Sequence, residues 1–405
     1  MRPRLLVILE HINWDPVIFK VAGPLALRWY GLMYVVAFTI GYFVLRWLQR
    51  IGHLRVSVED CTNIIIWGVL GTFIGGRMGH LFFYEFDDLV LNASNRPLWD
   101  RIVAGLQVWK GGMSFHGGVI GVIAAEIIYA RIRGLWFWNL GDACVHVVPI
   151  GVTTVRFGNY INGELYGRVI TDEAGKAVTA ADKLPWYAMK FPTDIDSPGY
   201  RGLRAAMEDD WLKNHPAASK LPEDWSILPV KPEIWAKYEP LFYGRYPSQL
   251  LQFALEGFAL LIMMYVLRRW CKRPGVLGSW MLIGYGVLRF PVEFIREPDH
   301  GLDPAKDAGA GATATFLAAI NMTMGQFLCV LLILFGTVQI LLFMRPKKSI
   351  TGAEYPDFTR KLWPFSKGNI PADAKIGPPM PEEEGAPKNA AKRAAKEAEE
   401  AKAKA

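Results

Sequence analysis

The chain has 405 residues, 52% of them hydrophobic and 13% aromatic, with 15 tryptophans, and its mean hydropathy is +0.17. That composition is too apolar for an ordinary soluble protein and points to a polytopic membrane protein. The formal net charge of +7 suits a membrane protein with basic inner loops and gives no reason to expect nucleic acid as a partner.

Crossing a hydrocarbon core takes roughly 20 mostly apolar residues of helix. Stretches of that kind fall near residues 22–45, 62–84, 114–131, 135–155, 249–267, 276–293 and 323–344. The sequence therefore predicts an all-α polytopic membrane protein with about seven transmembrane helices. The opening MRPRLLVILEHINWD has only a short apolar run before polar residues resume, so no cleavable signal peptide is expected and the first span acts as the insertion signal.

Arg46, Arg50 and Arg55, then Arg131 and Arg133, then Arg268, Arg269, Lys272 and Arg273, and finally Arg345, Lys347 and Lys348 all fall on one face of this topology. That face is expected to be cytoplasmic, which places the N-terminus outside and the C-terminus inside. Cys61, Cys144, Cys271 and Cys329 form no CxxC pair, so neither a disulfide framework nor a zinc site is suggested, and no metal or cofactor is expected.

Four regions result. Residues 1–168 hold the first four helices and 246–345 the last three. Residues 169–245 are rich in Asp, Glu, Lys and Pro without a spanning stretch, and are expected to form a small extracytoplasmic head. From 346 to 405 the chain is a low-complexity tail ending in PEEEGAPKNAAKRAAKEAEEAKAKA, expected to be disordered and cytoplasmic.

A charged side chain at the centre of a spanning helix costs about 2.5–3.5 kcal/mol on insertion scales. Arg28, Arg77, Glu126, Arg156, Arg289 and Glu293 nevertheless lie in or at the ends of apolar runs. Interfacial placement of a long stem could explain any single arginine, Arg28 above all. RFGNYINGELYGR, residues 156–168, packs Arg156, Asn159, Asn162, Glu164 and Arg168 among glycines at the outer end of a span, with Arg156, Asn159 and Gly163 on one side of a helix. GYGVLRFPVEFIREPD, residues 284–299, puts Tyr285, Arg289 and Glu293 on one stripe at i, i+4 and i+8, with Pro291 weakening the local ladder. Arg289 and Glu293 could simply neutralise each other, but that would not explain Arg156. Two interior guanidinium groups at similar depth suit a phosphate, and a membrane protein meets phosphate mostly as a lipid headgroup. GGMSFHGG, residues 111–118, adds a titratable His116 bracketed by glycines in the same outer half. An enzyme could use this set, and so could a membrane carrier for a phosphorylated lipid or anion. A carrier would more often show an internal repeat, and none is evident.

WKGGMSFHGG, RFGNYINGELYGR, RYPSQL and GVLRFPVEFIREPD, with LRWYGLMY at the first span and GQFL at the last, resemble the ordered signature of the prolipoprotein diacylglyceryl transferase family. The resemblance implies an integral enzyme of the bacterial inner membrane. Its partners would be phosphatidylglycerol, the lipobox peptide of a prolipoprotein and the bilayer, and it would move a diacylglyceryl group onto the lipobox cysteine in lipoprotein biosynthesis. The functional residues it implies fall on Tyr30, His116, Arg156, Asn159, Glu164, Gly167, Tyr285, Arg289 and Glu293. Arg156 and Arg289 would clamp the phosphate and His116 would be the base, although a neighbour such as Tyr30 remains an alternative proton acceptor. Tyr30 and Asn159 would join the catalytic set, and Tyr285, Glu293, Glu164 and Gly167 would bind the lipid. One departure stands out: PSQLLQ puts Leu251 and Gln252 where the family commonly has a tyrosine and an acid.

Overall fold

A computed structural model of the chain describes residues 14–15, 17–22, 25–51, 53–54, 56–83, 99, 114–135, 137–216, 219–221, 229–271, 275–297 and 319–343. The expected connection at 86–112, apart from Trp99, and the tail at 346–405 lie outside the described residues, as do Gly111, Gly112 and Met113 of the GGMSFHGG stretch. The described elements are two short antiparallel strands, β1 (Val17–Ala22) and β2 (Leu25–Arg28), followed by helices. These are α1 (Trp29–Arg50), α2 (Val58–Phe83), α3 (Phe115–Arg133), α4 (Phe137–Cys144), α5 (Val148–Asn162), α6 (Tyr200–Asn214), α7 (Pro232–Tyr238), α8 (Ser248–Leu267), α9 (Val276–Val292) and α10 (Met324–Phe343).

The protein is mostly helical, and each expected apolar run contains helix, with two corrections. The hairpin of β1 and β2 departs from an all-α chain and occupies the start of the 22–45 run, so the first long helix begins only at Trp29. The 135–155 run is two helices, because Val145–Val147 form a turn in which the His146 amide donates to the Ala143 carbonyl at 3.1 Å and Val147 to Cys144 at 2.8 Å. Pro149 explains the restart: it sits in the first turn of α5, where a missing N–H costs nothing. Four helices among the described residues are long and apolar enough to cross a membrane, namely Trp29–Arg50, Val58–Phe82, Ser248–Leu267 and Met324–Leu342, with Val276–Val292 apolar but shorter.

The chain divides into two compact units. One comprises Phe38–Val147, Cys271–Gly278 and Leu341–Ala405. Its seam is glycine on glycine. Gly71, Gly75 and Gly79 of α2 face Gly117 and Gly121 of α3 so closely that a Cβ on Gly117 would lie 2.7 Å from the Gly79 Cα. Any side chain there would push the helices apart, as expected where packing rather than hydrophobic exclusion joins two apolar helices. Gly117 of the GGMSFHGG stretch is thus occupied in helix contact. At the other end of the same pair, Asp60 accepts from Ser57 Oγ at 2.7 Å, Tyr129 OH at 2.6 Å and Arg133 Nε at 2.9 Å, beside the apolar cluster of Leu45, Leu48, Leu54, Ile64 and Leu140. Asp142 accepts from the Gly275 and Gly278 amides at 2.8 and 2.7 Å, satisfying N–H groups that the first turn of a helix leaves without internal partners.

The other unit comprises Met1–Ala37, Val148–Trp270 and Ser279–Ile340. Within it the 169–245 segment is a packed body. Leu203, Met207, Leu221, Val230 and Phe242 form one core, and Ile170, Val178, Leu184 and Ala188 a second. A third cluster of Tyr160, Met189 and Phe191 with Leu250 joins this body to α5 and α8. Arg245 is its keystone. Only 1% exposed, it donates to both Asp194 oxygens at 2.7 Å and to Asp196 Oδ2 at 2.7 Å, and its guanidinium carbon lies 4.7 Å from the centre of the Tyr166 ring. Burial disfavours its charge, and the hydrogen bonds and field of Asp194 outweigh burial, so its basicity rises. Burial also raises the Tyr166 phenol above its ordinary range, with Asp194 adding to the effect.

Candidate active site

Helix α5 carries the first half of the site to its end. Thr153 and Thr154 donate their hydroxyls to the carbonyls of Pro149 and Ile150 one turn back, at 2.8 and 3.1 Å, so the run of the helix towards Arg156 exposes no unsatisfied hydroxyl. The helix stops at Gly163, whose φ of 65° is left-handed and suits glycine. The Glu164 amide then donates to the Asn159 carbonyl at 3.0 Å, and the Glu164 side chain folds back to accept from Asn159 Nδ2 at 2.8 Å and Asn162 Nδ2 at 3.3 Å. Asn159, itself 3% exposed, uses its oxygen to accept from Arg156 Nη1 at 3.4 Å. Glu164 thus fixes the Asn159 amide, and the amide orients the arginine.

Tyr30 completes this half. Its ring edge comes within 3.2 Å of where a side chain on Gly158 would begin, its hydroxyl lies 3.3 Å from that of Tyr34, and it is within electrostatic reach of Arg156 and Glu164.

Helix α9 supplies the second half. Tyr285 and Arg289 lie one turn apart, Pro291 falls in the last turn, and Glu293 sits just past the end. The Arg289 guanidinium bonds the Glu293 carboxylate and lies with Nε 3.4 Å from Glu256 Oε1 of α8. Glu293 is also held by Thr323 Oγ1, which donates to Oε2 at 3.0 Å, and approached by Arg296 at 3.7 Å. Thr323 and Gln326 cap α10 reciprocally: the Thr323 amide donates to Gln326 Oε1 and the Gln326 amide to Thr323 Oγ1, each at 3.1 Å. Among the described residues Arg289 Nη1 has no hydrogen-bond partner, although the residue is buried. A buried polar group left this way costs about 1–3 kcal/mol, and more when charged, so the geometry favours an added acceptor.

The halves meet. Arg156 interacts electrostatically with Arg289, Glu256, Tyr285 and Arg296, and the loops after α5 and α9 are zipped together, with the Arg168 amide donating to the Ile295 carbonyl at 2.8 Å. Gly167 is wedged in that zipper. Its amide donates to the Tyr246 carbonyl at 2.8 Å, and a Cβ on it would meet Tyr246 at the same distance. Two guanidinium groups thus lie within electrostatic reach of each other in one patch, where their like charges repel. The description of the family model that matches residues 16–342 is prolipoprotein diacylglyceryl transferase.

The chain belongs to that family. It is 37% identical over 334 residues to the phosphatidylglycerol–prolipoprotein diacylglyceryl transferase of Burkholderia ambifaria, covering 81% of this chain and 94% of the relative. A protein of the same name from Paraburkholderia phymatum is 37% identical over 335 residues, 82% of this chain and 93% of the relative. That of Burkholderia multivorans is 36% identical over 351 residues, 85% and 100% of the two chains.

For a prolipoprotein diacylglyceryl transferase, the structure gathers Tyr30, Arg156, Asn159, Glu164, Gly167, Tyr285, Arg289 and Glu293 into one unit. His116 belongs to the other unit. It stands exposed in the first turn of α3, whose start is capped by Ser114 Oγ accepting from the Gly117 amide at 3.3 Å. Neither Glu256 nor Gln249, two turns earlier on α8, was singled out from the sequence, although an acid within FALEGFAL, residues 253–260, is as anomalous as Glu126. Nor was Thr323, since a threonine ahead of an apolar helix reads as an ordinary cap.

Proposed function

We propose that the protein transfers the diacylglyceryl group of phosphatidylglycerol to the lipobox cysteine of prolipoproteins, forming a thioether and releasing glycerol phosphate. What carries this reading is the pair Arg156 and Arg289, within electrostatic reach of each other, with Arg289 Nη1 unbonded among the described residues in the buried cluster of a chain from this family. The names of the relatives supply donor and acceptor.

The thiolate sulfur attacks the glycerol carbon that bears the phosphate. A carbon–sulfur bond forms as the carbon–oxygen bond breaks, and the electron pair leaves on the phosphate oxygen. Arg156 and Arg289 hold the phosphate and stabilise the charge it gathers, the electrostatic contribution that usually dominates such reactions. Asn159 aims Arg156, Glu164 fixes Asn159, Glu293 and Tyr285 set Arg289, and Tyr30 lines the Arg156 side. A free thiol has a reference pKa near 8.5 and an imidazole near 6.5, so the family role of His116 as proton acceptor is chemically suited to neutral pH.

In this reading seven spans (α1, α2, α3, the α4 and α5 pair, α8, α9 and α10) cross the bacterial inner membrane. The N-terminus and the 169–245 body lie outside, and the 346–405 tail lies in the cytoplasm. The clusters at Arg46 and Arg50, Arg131 and Arg133, and Arg268 and Arg269 support that orientation.

The test is direct. Purified protein in detergent, given phosphatidylglycerol and a lipobox peptide, should release glycerol phosphate and increase the peptide mass by one diacylglyceryl group. A carrier would do neither. His116→Gln should lower the rate at neutral pH by about 10²–10⁴-fold, the usual worth of a general base. An unchanged rate would remove His116 from the mechanism.

A further inference from the structure

Gln249, Gln252 and Glu256 are fully buried on α8 at successive spacings of three and four residues, which places them on one face. Gln249 shows where that face looks: its Nε2 donates to the Glu164 carbonyl at 2.7 Å, the residue that fixes Asn159 behind Arg156. Glu256 lies beside Arg289 and within the electrostatic reach of Arg156. The face therefore runs along the phosphate cluster.

It is also unfinished. Among the described residues, Gln249 Oε1, both polar atoms of the Gln252 amide and both Glu256 oxygens have no hydrogen-bond partner. The helix is π-helical from Phe253 to Ala259, immediately after Gln252 and through Glu256, a departure from α-geometry found mostly at functional sites. Folded proteins satisfy nearly all buried side-chain polar atoms, so a fully buried amide with donor and acceptor both idle among the described residues, on the helix face that brings Glu256 to Arg289, calls for a ligand that offers both.

We infer that this face is the subsite for the glycerol headgroup of the phospholipid donor, with Gln252 its specificity-determining residue; this deepens the transfer reaction proposed above and rests on it. With the phosphate on Arg156 and Arg289, the headgroup is one ester bond away. Gln252 Nε2 donates to a headgroup hydroxyl oxygen, while Gln252 Oε1 and Glu256 accept hydroxyl protons. A vicinal diol supplies both kinds of partner. An ammonium headgroup supplies only donors and leaves Nε2 idle, and an alkyl headgroup supplies neither.

Full-length protein is assayed with phosphatidylglycerol and with phosphatidylpropanol, which keeps the phosphodiester and lacks both hydroxyls. Wild type should prefer phosphatidylglycerol in kcat/KM by about 10- to 100-fold, the discrimination expected when buried polar groups are left unpaired. Gln252→Leu should collapse that ratio towards one, with the loss chiefly in KM for phosphatidylglycerol. Gln252→Asn, which keeps the amide and is the safer variant for folding, should give an intermediate ratio. Wild type using both lipids equally, or either variant keeping the wild-type ratio, overturns the subsite alone. Wild type that transfers from neither lipid overturns the reaction and the subsite with it.

Discussion

Arg156→Ala is expected to lower kcat/KM by about 10³-fold while the purified protein keeps its melting temperature. Removing one preorganised donor from a site of developing negative charge costs about 2.7–4 kcal/mol in comparable enzymes. Arg156 suits this test better than Arg289. Its side-chain hydrogen bond goes to the neutral Asn159 amide, and truncation leaves no carboxylate stranded. Arg289 holds Glu293 and Glu256. Its removal would leave buried carboxylates without their closest guanidinium, a loss that runs to about 3–5 kcal/mol for buried pairs, so any fall in activity would be mixed with unfolding. Arg289→Lys separates the two effects, because it keeps the charge and loses the planar fork. Phosphate release and a detergent thermal shift, measured on the same preparations, check both variants. Normal turnover by Arg156→Ala would end the phosphate-clamp assignment.

The second large effect concerns stability. Arg245→Met should destabilise the 169–245 body by about 3–5 kcal/mol, because Asp194 is fully buried and would lose both of its guanidinium bonds. The readouts are a lower melting temperature in detergent and faster proteolysis within 169–245, ahead of cleavage in α8 or α10. Adding Asp194→Asn should restore part of the loss, since a neutral amide is cheaper to leave buried than a carboxylate. Unchanged melting of the single variant would show that the network contributes little.

The long helices were readable because spanning a membrane demands an apolar run that few other structures need. Where the reading failed, a local effect competed with hydropathy. Val17–Arg28 is apolar enough to extend the first run, yet Val17–Ala22 and Leu25–Arg28 pair as antiparallel strands. The break before Pro149 was signalled by that proline and hidden by valines on either side. No residue in FALEGFA marks the π-helical turn of α8, which depends on what packs there: Gly257 sits against Thr153 of α5.

For the site, spacing found the residues that lie within a turn or two of one another, Arg156 with Asn159 and Glu164, and Tyr285 with Arg289 and Glu293. It could not find partners joined by tertiary folding. Thr323 reaches Glu293 across 30 positions and Arg245 reaches Asp194 across 51. Glu256 meets Arg289 in the same way.

The glycine seam of α2 and α3 has a mechanical side. Glycines recur every fourth position on both helices, at 71, 75 and 79 and at 117 and 121, while Phe73, Ile74 and Met78 stand between them, pointing outward. A slip that takes the glycines out of register would set residues with a Cβ against the opposing backbone, whereas a slip of four would bring glycine onto glycine again, about 6 Å away. The height of His116 along α2 is therefore quantised. The same seam thus holds the first turn of α3, which carries His116, at a set position along α2.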